Sequence, residues 1–248
     1  MVDEAEGKAL LRDRRSGARA LGRRLLRARQ RAQEEAERLD AMLRYERGLW
    51  DIGVRHVAGI DEVGVGALAG PVVAAAVVFA PGTCIAGIDD SKKISRAMRE
   101  RLDAEIRARA WAVGIGVANV AEIDAHNILQ AGRLAMRRAV EKMPQTLQHL
   151  LVDARTVPDV ALPQTSIIGG DGESLSVAAA SIVAKVTRDA TMAALHLRYP
   201  PYRFGDNMGY GTPDHLCALQ IHGPSPVHRL SFAPVKRSVP PARGGRHG

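Results

Sequence analysis

Four carboxylates stand where an alternating strand–helix chain collects ligands. Asp61 and Glu62 close the first apolar segment, Asp153 closes a later one, and Asp171 lies just beyond another. Taken singly, each is an ordinary loop or cap acid. Taken together they fall at the carboxyl ends of strands, where ligand sites form in open α/β sheets. Acids gathered at one point repel one another unless cations lie between them. Oxygen donors with no His or Cys nearby suit a hard ion, Mg²⁺ or Mn²⁺, better than zinc. Neighbouring residues on a regular strand point to opposite faces. Asp61 and Glu62 are therefore expected to share a site only if their strand ends there, and the following Val-Gly-Val-Gly run (63–66) supplies a break.

That glycine-rich run is not a dinucleotide fingerprint. Gly64, Gly66 and Gly70 are spaced GxGxxxG, and the segment after them is β-branched where a helix is required. It reads instead as a close approach of backbone to substrate, or as a tight hairpin bend.

The elements that must position these groups follow from periodicity. Residues 56–60 and 72–79 read as strands in hairpin succession, 96–110 as a helix capped by Ser95, and 111–118 as a strand. A helix over 127–142, strands over 147–152 and 166–168, and a long Ala-rich helix over 175–198 follow. Strands in hairpin order, then strand–helix alternation, imply an α/β fold with a mixed central sheet. Ahead of it, 19–48 reads as one amphipathic helix with Leu21, Leu25, Ala28, Ala32, Ala36, Leu39 and Leu43 at helical spacing. Its mixed charges favour a solvated helix packed by that stripe over a DNA-binding arm. Residues 1–16 and the tail from Val239 are expected to be disordered.

The chain has 248 residues and a net charge of +8, and the excess sits in its ends. Residues 1–48 carry 13 basic and 9 acidic side chains, 236–248 carry four basic and none acidic, and 49–235 is neutral. The tails can add sequence-independent affinity for a polyanion but cannot locate a site. Two cysteines, Cys84 and Cys217, without metal-ligand spacing, and an N-terminus unlike a secretion signal, point to the cytoplasm. The longest apolar run, 72–81, is far short of the roughly 20 residues a bilayer requires.

Several ordered segments carry a family resemblance. Val57-Ala-Gly-Ile-Asp-Glu-Val-Gly-Val-Gly-Ala-Leu-Ala-Gly-Pro71 resembles the ribonuclease HII opening, GIDE(A/V)GRGxxAGP. Residues 90–93 (DSKK), 127–129 (NIL) and 151–153 (LVD) match later segments in order. So do Asp171, the 178–189 helix (AASIVAKVTRD with one further Ala), 209–212 (GYGT) and 228–235 (HRLSFAPV). The resemblance runs from about residue 40 to 236.

It implies a ribonuclease H-like fold, with a charged helical extension over 1–48, a catalytic domain over 49–236 containing a helical C-terminal region, and a basic tail over 237–248. It implies an endoribonuclease acting on RNA–DNA hybrids and on single ribonucleotides embedded in duplex DNA; the sequence itself, with no long exposed apolar seam beyond the N-terminal helix, reads as a monomer with no membrane partner. Asp61, Glu62, Asp153 and Asp171 would hold two divalent ions for phosphodiester hydrolysis, cutting 5′ of the ribonucleotide to leave a 3′-hydroxyl and a 5′-phosphate. Main-chain groups of Gly64, Val65 and Gly66, with Tyr210, would sense the ribose 2′-hydroxyl, and Lys92 and Lys185 would lie near phosphates. The eight histidines include His215, His222 and His228, which have no partner motif and read as surface or structural groups.

Two departures stand out. Val65 occupies the position of the family's arginine, and Asp206-Asn207-Met208 replaces a stretch that is usually basic. Both remove positive charge from the nucleic-acid path, so weaker binding or an altered junction preference is expected. Against the intact acid quartet, they also leave open a non-catalytic nucleic-acid-binding module; a more distant reading, another nuclease or recombinase of the same superfamily, is disfavoured by the 64–66 (GVG) and 209–212 (GYGT) segments.

Overall fold

The computed structural model describes residues 4–238. Helices α1 (Glu4–Leu11), α2 (Ser16–Met42) and α3 (Arg44–Asp51) precede strands β1 (Val57–Val63) and β2 (Val72–Val78), helix α4 (Arg96–Arg109) and strand β3 (Ala112–Ala118). Helices α5 (Val120–His126) and α6 (Ile128–Glu141), strands β4 (His149–Asp153) and β5 (Gln164–Ile167), and helices α7 (Gly170–Glu173) and α8 (Leu175–Arg198) follow. The chain closes with α9 (Phe204–Asn207), α10 (Pro213–His222) and α11 (Ala233–Ser238).

The sheet order is β3-β2-β1-β4-β5. β1, β2 and β3 form an antiparallel meander, while β4 pairs parallel to β1 and β5 parallel to β4. This is the mixed α/β sandwich expected from the sequence. β2 is buried along its whole length because its two faces carry separate cores. Val73, Ala75 and Val77 pack against Ala178, Ile182 and other residues of α8, and Ala74, Ala76 and Val78 against Ala131, Ala135 and Ala139 of α6. With so few aromatics, small residues let the layers approach closely. A Cβ on Gly59 would lie 2.0 Å from the carbonyl carbon of Ser176, and one on Gly116 would lie 1.9 Å from the Ala135 oxygen. Both glycines are thus contact points between sheet and helix.

Some boundaries differ from the expected ones. The single helix over 19–48 is two helices, because a turn at Leu43, buried in the core, redirects the chain between α2 and α3. The expected disorder over 1–16 is corrected for residues 4–16, and residues 1–3 lie outside the described residues. α1 folds back on α2 so tightly that a Cβ on Gly22 would lie 2.9 Å from the Gly7 carbonyl oxygen, and a Glu4–Lys8 ion pair spans one of its turns. The Leu/Ala stripe packs on the domain only at its far end. Leu39, Met42 and Leu43 are buried, whereas Ala28, Ala32 and Ala36 are exposed. The tail from Val239 lies outside the described residues. α5, which the sequence reading passed over, is fixed by a capping box in which Asn119 and Glu122 each accept from the other's main-chain N–H. Among the described residues, no helix is long and apolar enough to cross a membrane.

Candidate active site

β1 does not end at Asp61. It continues through Val63, with Asp61 opposite Ala75 and Glu62 opposite Ala74, so the expectation that the strand stops at the acids is corrected. What stops is the pairing on its other edge. β4 matches β1 only as far as Ile60 opposite Val152, and Asp153 is its last residue. Beyond that point Asp61 and Glu62 leave opposite faces of a strand whose neighbour has ended, and both can turn toward the gap. Asp153 stands at its edge, and its Oδ1 accepts the Gly170 N–H at 2.7 Å, which ties the start of α7 and hence Asp171 to the same place.

The electrostatics record this convergence. Asp61 is 6% exposed, and burial, then the charges of Glu62 and Asp153, push its carboxyl up to about 8, against bonds from Ser181 and the Glu62 N–H. Glu62 is raised by burial, opposed by Arg155, and raised further by Asp153. Asp153 is raised by burial against the Gly170 bond, with Asp171 adding repulsion. Two cations attend the group. Lys92 Nζ donates to Asp171 at 3.0 Å, and Arg155 Nη1 lies 3.5 Å from Glu62 Oε1. Burial works against the Lys92 ammonium, but the bond to Asp171 and the charges of Asp171, Asp90 and Asp61 outweigh it and hold its pKa above the usual value.

As they stand, no three His, Cys, Asp or Glu side chains among the described residues are close enough to grip one ion. Their chemistry nevertheless fits a hard divalent cation. All the donors are carboxylate oxygens, at least one is buried without a neutralising partner, and the cluster already draws in two cationic side chains.

Beside the acids runs the glycine-rich loop. Gly64 has φ +93°, and a Cβ there would meet Arg188 Nε at 2.2 Å. Gly66 is exposed, and a Cβ there would meet only Tyr210 Cε1, at 4.0 Å. The structure therefore brings Tyr210, itself 36% exposed, against Gly66. Val65 is half-buried, with its carbonyl taken by Arg229. Lys185, on α8 one turn beyond Ser181, does not meet the acids; it donates to Asp189 at 2.7 Å. In the departing stretch, Asp206 pairs with Arg203, while buried Asn207 donates to the Tyr202 carbonyl and accepts from Gly209 N–H, shaping the turn into Tyr210.

Several groups escaped the sequence reading. Arg188 and Arg229 are fully buried. Arg188 was findable, since Ala184, Arg188 and Met192 share one helical face and all three are buried. His215 and His228 meet at 2.9 Å between their Nε2 atoms. His228 Nδ1 accepts the Ser225 N–H, so its Nε2 carries the proton donated to His215. The Nδ1–H of His215 in turn donates to the Tyr210 carbonyl at 2.8 Å. Burial, then His215, pushes His228 down to about 4. The pair is a neutral structural brace behind Tyr210, in keeping with the structural reading of these histidines; His222 is exposed.

Comparison with known proteins adds three findings. Residues 58–235 match the family model for ribonuclease HII, and 2–50 match that for the ribonuclease HII N-terminal domain. A ribonuclease HII of Geobacillus thermodenitrificans (strain NG80-2) is 46% identical over 245 residues, covering 96% of this chain and 94% of that one. One from Myxococcus xanthus (strain DK1622) is 51% identical over 233 residues, covering 94% and 80%. Among solved structures, the ribonuclease H2 from Pyrococcus horikoshii OT3 superposes with a TM-score of 0.63 at 24% identity, over 74% of this chain and 96% of that one. That likeness concerns the fold.

Proposed function

The chain belongs to the ribonuclease HII family and is a type II ribonuclease H; from that premise we propose that it cuts the RNA strand of RNA–DNA hybrids and the 5′ side of single ribonucleotides embedded in duplex DNA. The observation that carries this reading is the meeting of Asp61, Glu62, Asp153 and the Asp171 turn at one sheet end, beside a glycine loop backed by Tyr210.

Asp61, Glu62, Asp153 and Asp171 would hold two divalent ions, Mg²⁺ or Mn²⁺. When bound, these supply Lewis-acid activation of water and charge stabilisation at the departing 3′ oxygen. The rest belongs to the chain. The open backbone at Gly66 lets a sugar edge approach where a side chain would stand in the way. Gly64, Val65 and Gly66 present main-chain groups to the 2′-hydroxyl, and the Tyr210 hydroxyl meets it from the other side. Lys92 is 78% exposed although its ammonium touches Asp171, so it can exchange that carboxylate for a substrate phosphate. Lys185 would do the same from its pair with Asp189. All-DNA duplex lacks the hydroxyl and leaves these groups unmatched.

The test is an end-labelled duplex carrying one ribonucleotide, with its all-DNA counterpart, in Mg²⁺ and in chelator. The expected result is a single cut 5′ of the ribonucleotide leaving a 3′-hydroxyl, only with metal, and no cut in the counterpart. Binding without cutting would make the chain a recognition module, and cutting of the all-DNA duplex would remove the ribonuclease assignment.

A further inference from the structure

Two arginines behind the glycine loop are held in an unusual way. Arg188 and Arg229 are each 0% exposed. Among the described residues, the hydrogen bonds of these side chains go to main-chain carbonyls, and neither guanidinium has an ion-pair partner. Arg188 donates from Nε to Pro71 at 3.0 Å, from Nη1 to Met208 at 2.9 Å and from Nη2 to Ala69 at 3.1 Å. Arg229 donates from Nη1 to Val65 at 3.1 Å, and from Nε and Nη2 to Gly70 at 3.0 and 2.9 Å.

The carbonyls belong to two separate segments, 65–71 and the turn entering Tyr210. The arginines come from two others, α8 and the strand-like stretch where Ala69 pairs with His228. Main-chain bonds complete the junction, with Leu68 N–H donating to the Gly209 carbonyl at 2.7 Å and Gly70 N–H to Val227 at 2.9 Å. The Arg188 guanidinium also lies 5.5 Å from the centre of the Tyr210 ring, within cation–π range.

Such an arrangement costs stability. A buried charge with no counter-charge in contact is expensive, and two of like sign near each other are more so; Asp189 and Asp124 offset this only from a distance. Burial, then the presence of Arg188, pushes Arg229 down to about 9, against the opposing influence of Tyr210 and Asp124. The main-chain bonds offset part of that cost, and what remains points to a task at the surface these arginines support.

We propose that Arg188 and Arg229 are positioning residues for ribose recognition: together they clamp the 64–71 loop and the Tyr210 turn into one preformed groove wall, and their positive charges, free of any ion pair among the described residues, draw the polyanion to it. The clamp explains why residue 64 must be glycine, since a Cβ there would strike Arg188. It also places positive charge directly behind Val65, the position that lacks its own. This inference rests on the proposed function, because it assigns the wall its substrate.

The test compares full-length wild type with Arg188→Lys and Arg229→Lys, which keep the charge but lose the planar fork, and with Arg229→Gln, which loses the charge. Three quantities are read: the thermal midpoint, the kcat and KM for the one-ribonucleotide duplex in Mg²⁺, and the affinities for that duplex and for all-DNA duplex in chelator. Folded Lys variants should lose at least tenfold of the ribonucleotide-over-DNA binding preference, with KM rising more than kcat falls. Arg229→Gln should also bind all-DNA duplex at least threefold more weakly. Folded Lys variants with preference and KM within twofold of wild type would overturn the proposal.

If the variants do not fold, amide exchange in the wild type decides. Slow exchange at Leu68, Ala69 and Gly70 in the free chain, unchanged by the ribonucleotide duplex, is the mark of a preformed wall, and fast exchange that slows only on binding rejects it. A wild type that prefers the ribonucleotide duplex in chelator but never cleaves it removes the nuclease reading while leaving the clamp standing.

Discussion

Asp61→Asn should abolish cleavage and at the same time make the metal-free chain more stable. The carboxyl is buried, and its pKa rises from the ordinary 3.8 to about 8. Its folded value lies above its unfolded one, so the folded chain binds this proton more tightly. The stability it contributes is complete below about pH 4 and is lost as pH rises through 8. A shift of this size corresponds to at most about 5 kcal/mol at pH 8. Asparagine carries no charge and has nearly the same shape. In chelator, Asp61→Asn should therefore gain roughly 2–4 kcal/mol at pH 8 and almost nothing near pH 4. The buried His215–His228 pair works in the other direction, weakening the fold as pH falls from the usual histidine range toward 4, but it is common to both proteins and drops out of the difference. Thermal unfolding of both at pH 4, 6 and 8 reads the effect directly. A variant less stable than wild type at pH 8, or a difference independent of pH, would refute the electrostatic account of this site. Cleavage should fall by at least about 10³-fold, since a neutral amide contributes little to holding a divalent ion.

Gly66→Ala separates folding from recognition. No neighbour requires a glycine there. The backbone is not in the left-handed region, and a new Cβ would touch only the Tyr210 ring edge at 4.0 Å. Stability should stay within about 0.5 kcal/mol of wild type. The methyl group would nevertheless stand in the groove between loop and tyrosine, where the ribose is proposed to lie. Cleavage of the one-ribonucleotide duplex should fall on the order of 100-fold, since misplacing a bound substrate by about 1 Å is costly. Gly64→Ala is the contrast. With φ +93° and Arg188 Nε at 2.2 Å, it should damage the fold itself. Full activity in a stably folded Gly66→Ala chain would move the ribose away from this loop.

The parts of this architecture that rest on local chemistry were legible in the sequence. The run of α8, the Ser95 cap on α4 and the helix α6 all depend on neighbours within a turn or so, and each stands within a residue of where its sequence indicates. The four carboxylates were singled out because they follow apolar segments. What decides their meeting, however, is that β4 stops pairing one residue before Asp61, and that belongs to the sheet and to neither strand alone. The glycines after Val63 signalled a turn but not the place where pairing ends. The break at Leu43 was hidden for a similar reason, since the Leu/Ala period runs unbroken up to Leu43 itself. The clamp arginines and the histidine brace were harder still. Their partners lie far off in sequence, as with Arg229 and Val65 or His215 and His228, and arginine is read by default as a surface group.

On the proposed function, acids distant in the chain act as one oxygen-donor site for divalent ions. Calorimetric titration of Mn²⁺ into the metal-free chain at pH 8, wild type against Asp153→Asn, tests it without any substrate. Wild type should bind the ion with measurable heat, and the variant should bind at least tenfold more weakly while unfolding at a similar temperature. Equal affinity in the two proteins would mean that Asp153 does not share an ion with Asp61 and Glu62, and the proposed catalytic site would have to be placed elsewhere.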